Sequence, residues 1–175
     1  DKNPEKSIID IITPISYDHQ EFLGHDILKI TNEKLGIIKP HSNIIIGKQN
    51  ILVKKHIKNT LKINSNKKYF YGHEFKIINK KKSYFSMSYK KLHFNFKNPK
   101  LRGAHQIENA CIAICASLIL RKLNYRIKKI SIDKGIHETF WPGRLEKGNL
   151  KKIDVFLDGA HNIEGSKQIV KFFNH

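Results

Sequence analysis

Apolar residues recur in short runs broken by polar punctuation, and their period changes along the chain. Residues 8–15 form an Ile- and Thr-rich run cut by Pro14, which predicts a buried strand ending in a loop that carries Ser16-Tyr17-Asp18-His19. From Asp26, a good N-cap, the spacing of Ile27, Ile30 and Lys34 up to Gly36 predicts a short helix closed by glycine. Ile44-Ile45-Ile46-Gly47 reads as a second short buried strand, and residues 51–63 as a helix. Residues 69–96 alternate aromatics with Lys, His and Ser on both sides of Asn79-Lys80-Lys81-Lys82, the pattern of antiparallel strands joined by a basic turn. The strongest helix covers 104–123, where Ile107, Cys111, Ile114, Leu118 and Arg121 fall near one face. A short helix after Ser131, a Trp141-Pro142-Gly143 turn, a strand at 153–157 and a helix at 162–173 complete the pattern. Strands alternating with helices around a central β insert predict an α/β fold.

Charge widens the range of functions. The 175 residues carry 33 Lys and Arg against 15 Asp and Glu, a formal +18 that raises affinity for any polyanion. The lysines are scattered, with small clusters at Lys54-Lys55, Lys67-Lys68, Lys80-Lys82 and Lys90-Lys91, so they read as compositional bias rather than a stripe. The longest apolar stretch, at 110–120, is well below the ~20 residues of a spanning helix, and no signal-peptide pattern opens the sequence. A cytoplasmic location without a membrane partner is expected. Cys111 and Cys115, four apart in an apolar helical run, read as reduced core residues.

Candidate chemistry concentrates where polar motifs interrupt apolar runs: LRGAHQIENA at 101–110, FWPGRLE at 140–146 and LDGAHN at 157–162. His105, Gln106 and Asn109 open the strongest helix, whose free amides and dipole suit a phosphate or a polar base; His105 and Gln106 are read as capping groups. Arg144 follows a rigid Pro-Gly turn and would either grip phosphate or pair with Glu146. Asp158 and His161 close a strand at a strand-to-helix loop. His19 and Lys34, by themselves, read as a solvated loop histidine and a solvent-facing helix charge.

Together with ITPISYDHQEFLG at 12–24 and NEKLGIIKP at 32–40, these motifs resemble, in order and near spacing, the folylpolyglutamate synthase and dihydrofolate synthase branch of the Mur ligases. The resemblance implies part of a Mur-ligase-type central ATPase domain over 1–148 and the beginning of a Rossmann-like C-terminal domain over 149–175. It implies an ATP-dependent carbon-nitrogen ligase that joins L-glutamate to dihydropteroate or folate through an acyl phosphate, with ATP and Mg2+, monomeric in its full-length form. By resemblance His19 is a magnesium ligand, Lys34 a carbamoylated, metal-bridging lysine, Asn109 an ATP contact, Arg144 a catalytic group on the phosphates, and Asp158 and His161 members of the ATP site. The family's small residue after the lysine is Leu35 here, and its proline after HN is Ile163. No stretch of the form G-x-x-x-x-G-K-[ST] occurs, so the chain is expected to be an incomplete fragment, inactive by itself.

Two other classes stay open. One is a basic nucleic-acid-binding module that stacks bases on Tyr69, Phe70, Tyr71, Tyr84, Phe85, Phe94 and Phe96, although alternating aromatics more often form a sheet core. The other is a non-catalytic remnant or a subunit completed by another polypeptide.

Overall fold

In the computed structural model, residues 6–17 and 26–174 are described. Three parallel strands, β1 (Ile9–Ile12), β2 (Asn43–Ile46) and β3 (Lys67–Phe70), form a sheet in the order β1-β2-β3. Helices α1 (Ile27–Leu35) and α2 (Ile51–Thr60) supply the two crossovers. Side chains alternate across a strand, so β2 divides its residues between two cores. Ile44 and Ile46 pack with Ile12, Ile30, Val53, Ile57 and Phe70 on the side of α1 and α2, while Ile45 packs on the opposite side.

That opposite side is covered by α3 (Ala104–Lys122). Beyond it lies an antiparallel sheet of β4 (Phe75–Lys80), β5 (Tyr84–Tyr89) and β6 (Leu92–Lys97). Phe75, Phe85, Met87, Tyr89 and Phe96 form the inner face of this sheet, against Cys111, Ile114, Cys115 and Leu118. Sandwiched between two sheets, α3 is buried over a wide arc that includes Ala110, Ile112 and Ile119. Arg121, expected near the apolar face, is exposed in the last turn. Close approach is needed where α3 meets the end of β2: a Cβ at Gly47 would stand 2.8 Å from Ile112 Cδ1.

Helix α4 (Lys129–Glu138) packs Ile132 into the same core and opens ahead of Ser131. Strands β7 (Glu146–Leu150) and β8 (Ile153–Leu157) then form an antiparallel hairpin, followed by α5 (Ile163–Phe173). The hairpin turns on Lys151 and Lys152, both left-handed at φ 48 and 70, as a two-residue turn of matching twist requires.

The local signals hold at most helix starts. Asp26 accepts from the Leu28 amide, Asn50 from Val53 and Asn162 from Gly165. Gly36 ends α1 in a right-handed conformation, φ −60, so its place there does not use glycine's freedom. Residues 69–96 need one correction: the stretch through Phe70 belongs to β3 of the parallel sheet, and the antiparallel insert begins only at Phe75. A β-rich, aromatic strand buried on both faces has the same composition as an insert strand, and only pairing tells them apart.

Candidate functional site

Three loops meet around the start of α3. Gly103 precedes the helix at φ 101 and ψ 141, a conformation open to glycine, and no side chain caps the helix. The capping roles expected for His105 and Gln106 are therefore not realised; their side chains bond to each other, Nε2 to Nε2, at 3.0 Å. Gln106 Oε1 accepts from Asn109 Nδ2 at 3.2 Å, which ties Asn109 to the same chain of polar groups.

The second loop is the Pro142-Gly143 turn. Gly143 N donates to Glu146 Oε2 at 2.9 Å, which fixes the turn and directs this glutamate to backbone. Arg144 is exposed. Leu145 is the reverse: it is 2% exposed and left-handed at φ 47, an uncommon state for a branched side chain that must be held by its surroundings. Its carbonyl accepts from Arg102 Nη1 at 3.2 Å and its amide donates to Asp158 Oδ2 at 2.8 Å.

Asp158 brings in the third loop. Its other oxygen accepts from Ala160 N at 2.8 Å, and Gly159 N donates to Gly143 O at 2.8 Å. Each oxygen of an ionised carboxylate has a further lone pair, so these bonds orient Asp158 without exhausting it. Asp158, Arg144 and Glu108 all act electrostatically on His105; burial pushes its pKa below the ordinary value first, Asp158 and Glu108 oppose that shift, and Arg144 adds to it. His161 is exposed in the third loop, with Nδ1 3.1 Å from Gly159 O. Arg144, Asp158 and His161 thus belong to loops that adjoin the first turns of α3, where Asn109 stands.

The remaining candidates lie elsewhere. His19 falls outside the described residues. Lys34 is half-buried in the last turn of α1, on the stripe of Ile27, Ile30 and Thr31 at intervals of seven, four and three residues. Among the described residues no cluster of three or more His, Cys, Asp or Glu side chains could hold a metal ion.

Two residues escaped the sequence reading. Gln49, just after β2, donates to Thr13 O at 2.8 Å and accepts from Ile15 N at 2.9 Å, clamping the chain that leaves β1. Arg102 reaches Leu145 O and places its guanidinium 5.9 Å from the Phe156 ring centroid. Both act on partners more than thirty residues away, so no local pattern marks them.

Of the aromatic stacking platform only Tyr84 is exposed, and Tyr71 is partly buried. Tyr69, Phe85 and Phe96 are buried in one core, with Phe94 packed against it, and Phe70 is buried in the other. Beside the loop junction a cavity of ≈ 450 Å³ is lined by Leu145, Asp154, Phe156, Asp158, Ile169 and Phe173. Among the described residues, no helix is long and apolar enough to cross a membrane.

Comparison with known proteins adds family context. Residues 6–117 match the Mur ligase middle domain. The chain is 29% identical over 175 residues to a probable dihydrofolate synthetase of Schizosaccharomyces pombe, and 28% identical over 184 residues to a dihydrofolate synthase/folylpolyglutamate synthase of Bacillus subtilis. Each alignment takes in 97% of this chain and 40% of the relative, so the chain spans about two fifths of the length of the curated relatives it matches. The Mycobacterium tuberculosis folylpolyglutamate synthase complexed with ADP and AMPPCP superposes with a TM-score of 0.80 at 24% identity, covering 99% of this chain and 40% of that one.

Proposed function

The chain belongs to the Mur ligase family through its middle domain, and from that premise we propose that it is part of an ATP-dependent ligase joining L-glutamate to dihydropteroate or folate. In that reaction the pterin substrate's carboxylate attacks the γ-phosphorus of ATP, giving an acyl phosphate and ADP. The glutamate amine then attacks the acyl carbon and expels inorganic phosphate. The observation that carries the reading is the meeting of three motif loops at the start of α3, with Arg144 at its edge between two residues whose backbone is pinned.

Each residue has a task in this reading. The uncapped first turn of α3 offers amide donors and a positive dipole end to an anion. Arg144 stays charged while negative charge grows on the transferring phosphoryl group, so it acts on the rate. Asn109 presents a carboxamide to the nucleotide, and Asp158 and His161 border it from the strand-to-helix loop. Mg2+ would offset charge on the phosphates, with His19 and Lys34 as its proposed ligands, the latter as a carbamate. Supporting Lys34 is its place in the last turn of α1, half-buried on the same stripe as Ile27, Ile30 and Thr31. The central unit is proposed over 1–148 and the next over 149–175, the β7–β8 hairpin carrying the chain between them. In the complete ligase, which is proposed to act as a monomer in the cytoplasm, nucleic acid has no role.

Steady-state kinetics test this. Arg144→Ala in the complete ligase is expected to lower kcat on the order of 10²-fold with little change in the KM for folate. Lys82→Ala, in an exposed turn, should alter neither. Normal turnover in a folded Arg144→Ala enzyme would remove the nucleotide assignment.

A further inference from the structure

The polar chain at the start of α3 has a direction, and His105 sets it. Gln106 Oε1 accepts from Asn109, so Gln106 Nε2 is the donor toward the ring and His105 Nε2 must accept. We propose that His105 is a positioning residue: acting through Gln106, its neutral ring fixes which atoms of the Asn109 carboxamide face outward, and so selects an adenine base over a guanine base. This rests on the nucleotide reading above.

Carboxamides linked in series pass polarity along. With Nε2 of His105 accepting, Asn109 uses one N–H on Gln106 and keeps its oxygen and its second N–H, on an exposed side chain. One acceptor beside one donor complements the N6 amine and N7 of adenine. If His105 donated from Nε2, both carboxamides would turn over, Asn109 would bond inward through its oxygen, and two N–H groups would face outward. Two donors complement O6 and N7 of guanine. The base preference is therefore written at the imidazole.

The ring cannot easily leave this role. A Cβ at Gly103 would stand 2.7 Å from His105 Cε1 and 2.9 Å from Nδ1, so the imidazole lies directly on the glycine. Nδ1 is buried without a hydrogen-bond partner among the described residues, so the tautomer is decided at Nε2. Protonation would make both ring nitrogens donors and force the inverted state. Four groups bear on that equilibrium from the surrounding elements: Asp158 and Glu108 favour the cation, Arg144 opposes it, and Lys48 holds Glu108 at 3.1 Å. Burial outweighs them and keeps the ring neutral.

Nitrogen-15 NMR on this chain reads the tautomer directly. The expected result is Nδ1–H at neutral pH, with the Asn109 side-chain amide resonances moving at the same midpoint as the His105 ring on acidification. Nucleotide binding to the complete ligase, using AMPPCP and its guanine counterpart, then reads the base preference. His105→Gln keeps an acceptor at the Nε2 position and is expected to bind AMPPCP normally, without the wild-type weakening at low pH. His105→Leu, with folding checked by circular dichroism, is expected to bind AMPPCP about 5- to 10-fold more weakly, the usual worth of one hydrogen bond, and to discriminate less against guanine. An Nε2–H tautomer, or Asn109 resonances that ignore the His105 titration while AMPPCP still binds, overturns the relay alone. Coupled titration without AMPPCP binding removes the nucleotide assignment, and base selection with it.

Discussion

Single side chains at the loop junction act mostly on backbone. Both oxygens of Asp158 hold amides, Glu146 holds Gly143, and Arg102 holds the Leu145 carbonyl, so the left-handed Leu145 is gripped on both sides of its peptide. This rigidity is what a group acting on developing charge requires, because a misplaced guanidinium stabilises nothing. His105 adds a pH dependence. Its folded-state pKa lies below the ordinary 6.5, so between the two values the unfolded chain binds more protons. The ring's contribution to stability is complete above 6.5 and is lost as pH falls through the folded value. Denaturant titrations from pH 7.5 to 5 should show a loss in the wild type that His105→Gln does not share; parallel profiles would mean that the ring is not held neutral.

At the level of elements, the three loops converge on the start of α3. A helix of nineteen residues opens without a side-chain cap because its N-cap is Gly103, and the His105 ring lies over that glycine. Gly103→Ala adds a methyl into the imidazole at a φ of 101, and each of these faults is costly. The expected loss is about 1–3 kcal/mol of unfolding free energy, with a shifted His105 tautomer signal; an alanine variant as stable as wild type would show that the loop relaxes freely. A second element-level device is Gln49, whose amide copies the pairing of a strand and holds the exit from β1 by residues 13 and 15. That exit leads toward His19.

Across the whole molecule, charge and apolar surface are distributed unevenly for different reasons. The lysines giving the +18 balance are spread over all three sheets and every helix except α3 until its last turn. Such a field attracts polyanions without positioning them. Binding of a random oligonucleotide should be weak, fall steeply with salt, and fail to distinguish single strand from duplex in a fluorescence titration. Tight, sequence-selective binding would revive a nucleic-acid role. The hairpin and α5 leave Leu150, Ile153, Leu157, Ile163, Val170 and Phe173 exposed, while Phe156, Phe172 and Phe173 cluster with ring centroids 5.1–5.6 Å apart.

The sequence by itself determined most of the elements and their order, because helix caps and hydrophobic periods act over a few residues; polar, largely exposed β7 carries no such period and was missed. Asp26, Asn50 and Asn162 cap where they stand in the chain, and the Ile-rich runs form strands, β2 within a residue of its limits and β1 stopping at Ile12, short of Pro14. Motif order was equally legible, and with it the family. Tertiary structure alone decided which strands pair. Lys67–Phe70 joins the parallel sheet although its aromatic composition matches the insert. Residues 146–157 close into a hairpin through cross-strand pairing, which the polar stretch around Gly148-Asn149 does not announce. The same holds for the junction: Arg102 with Leu145, Asp158 with Leu145, and Gln49 with Thr13 join residues 13 to 43 positions apart. A hydrogen bond between distant residues leaves no period or spacing in the sequence, so the residues that orient the site become visible only once the chain has folded.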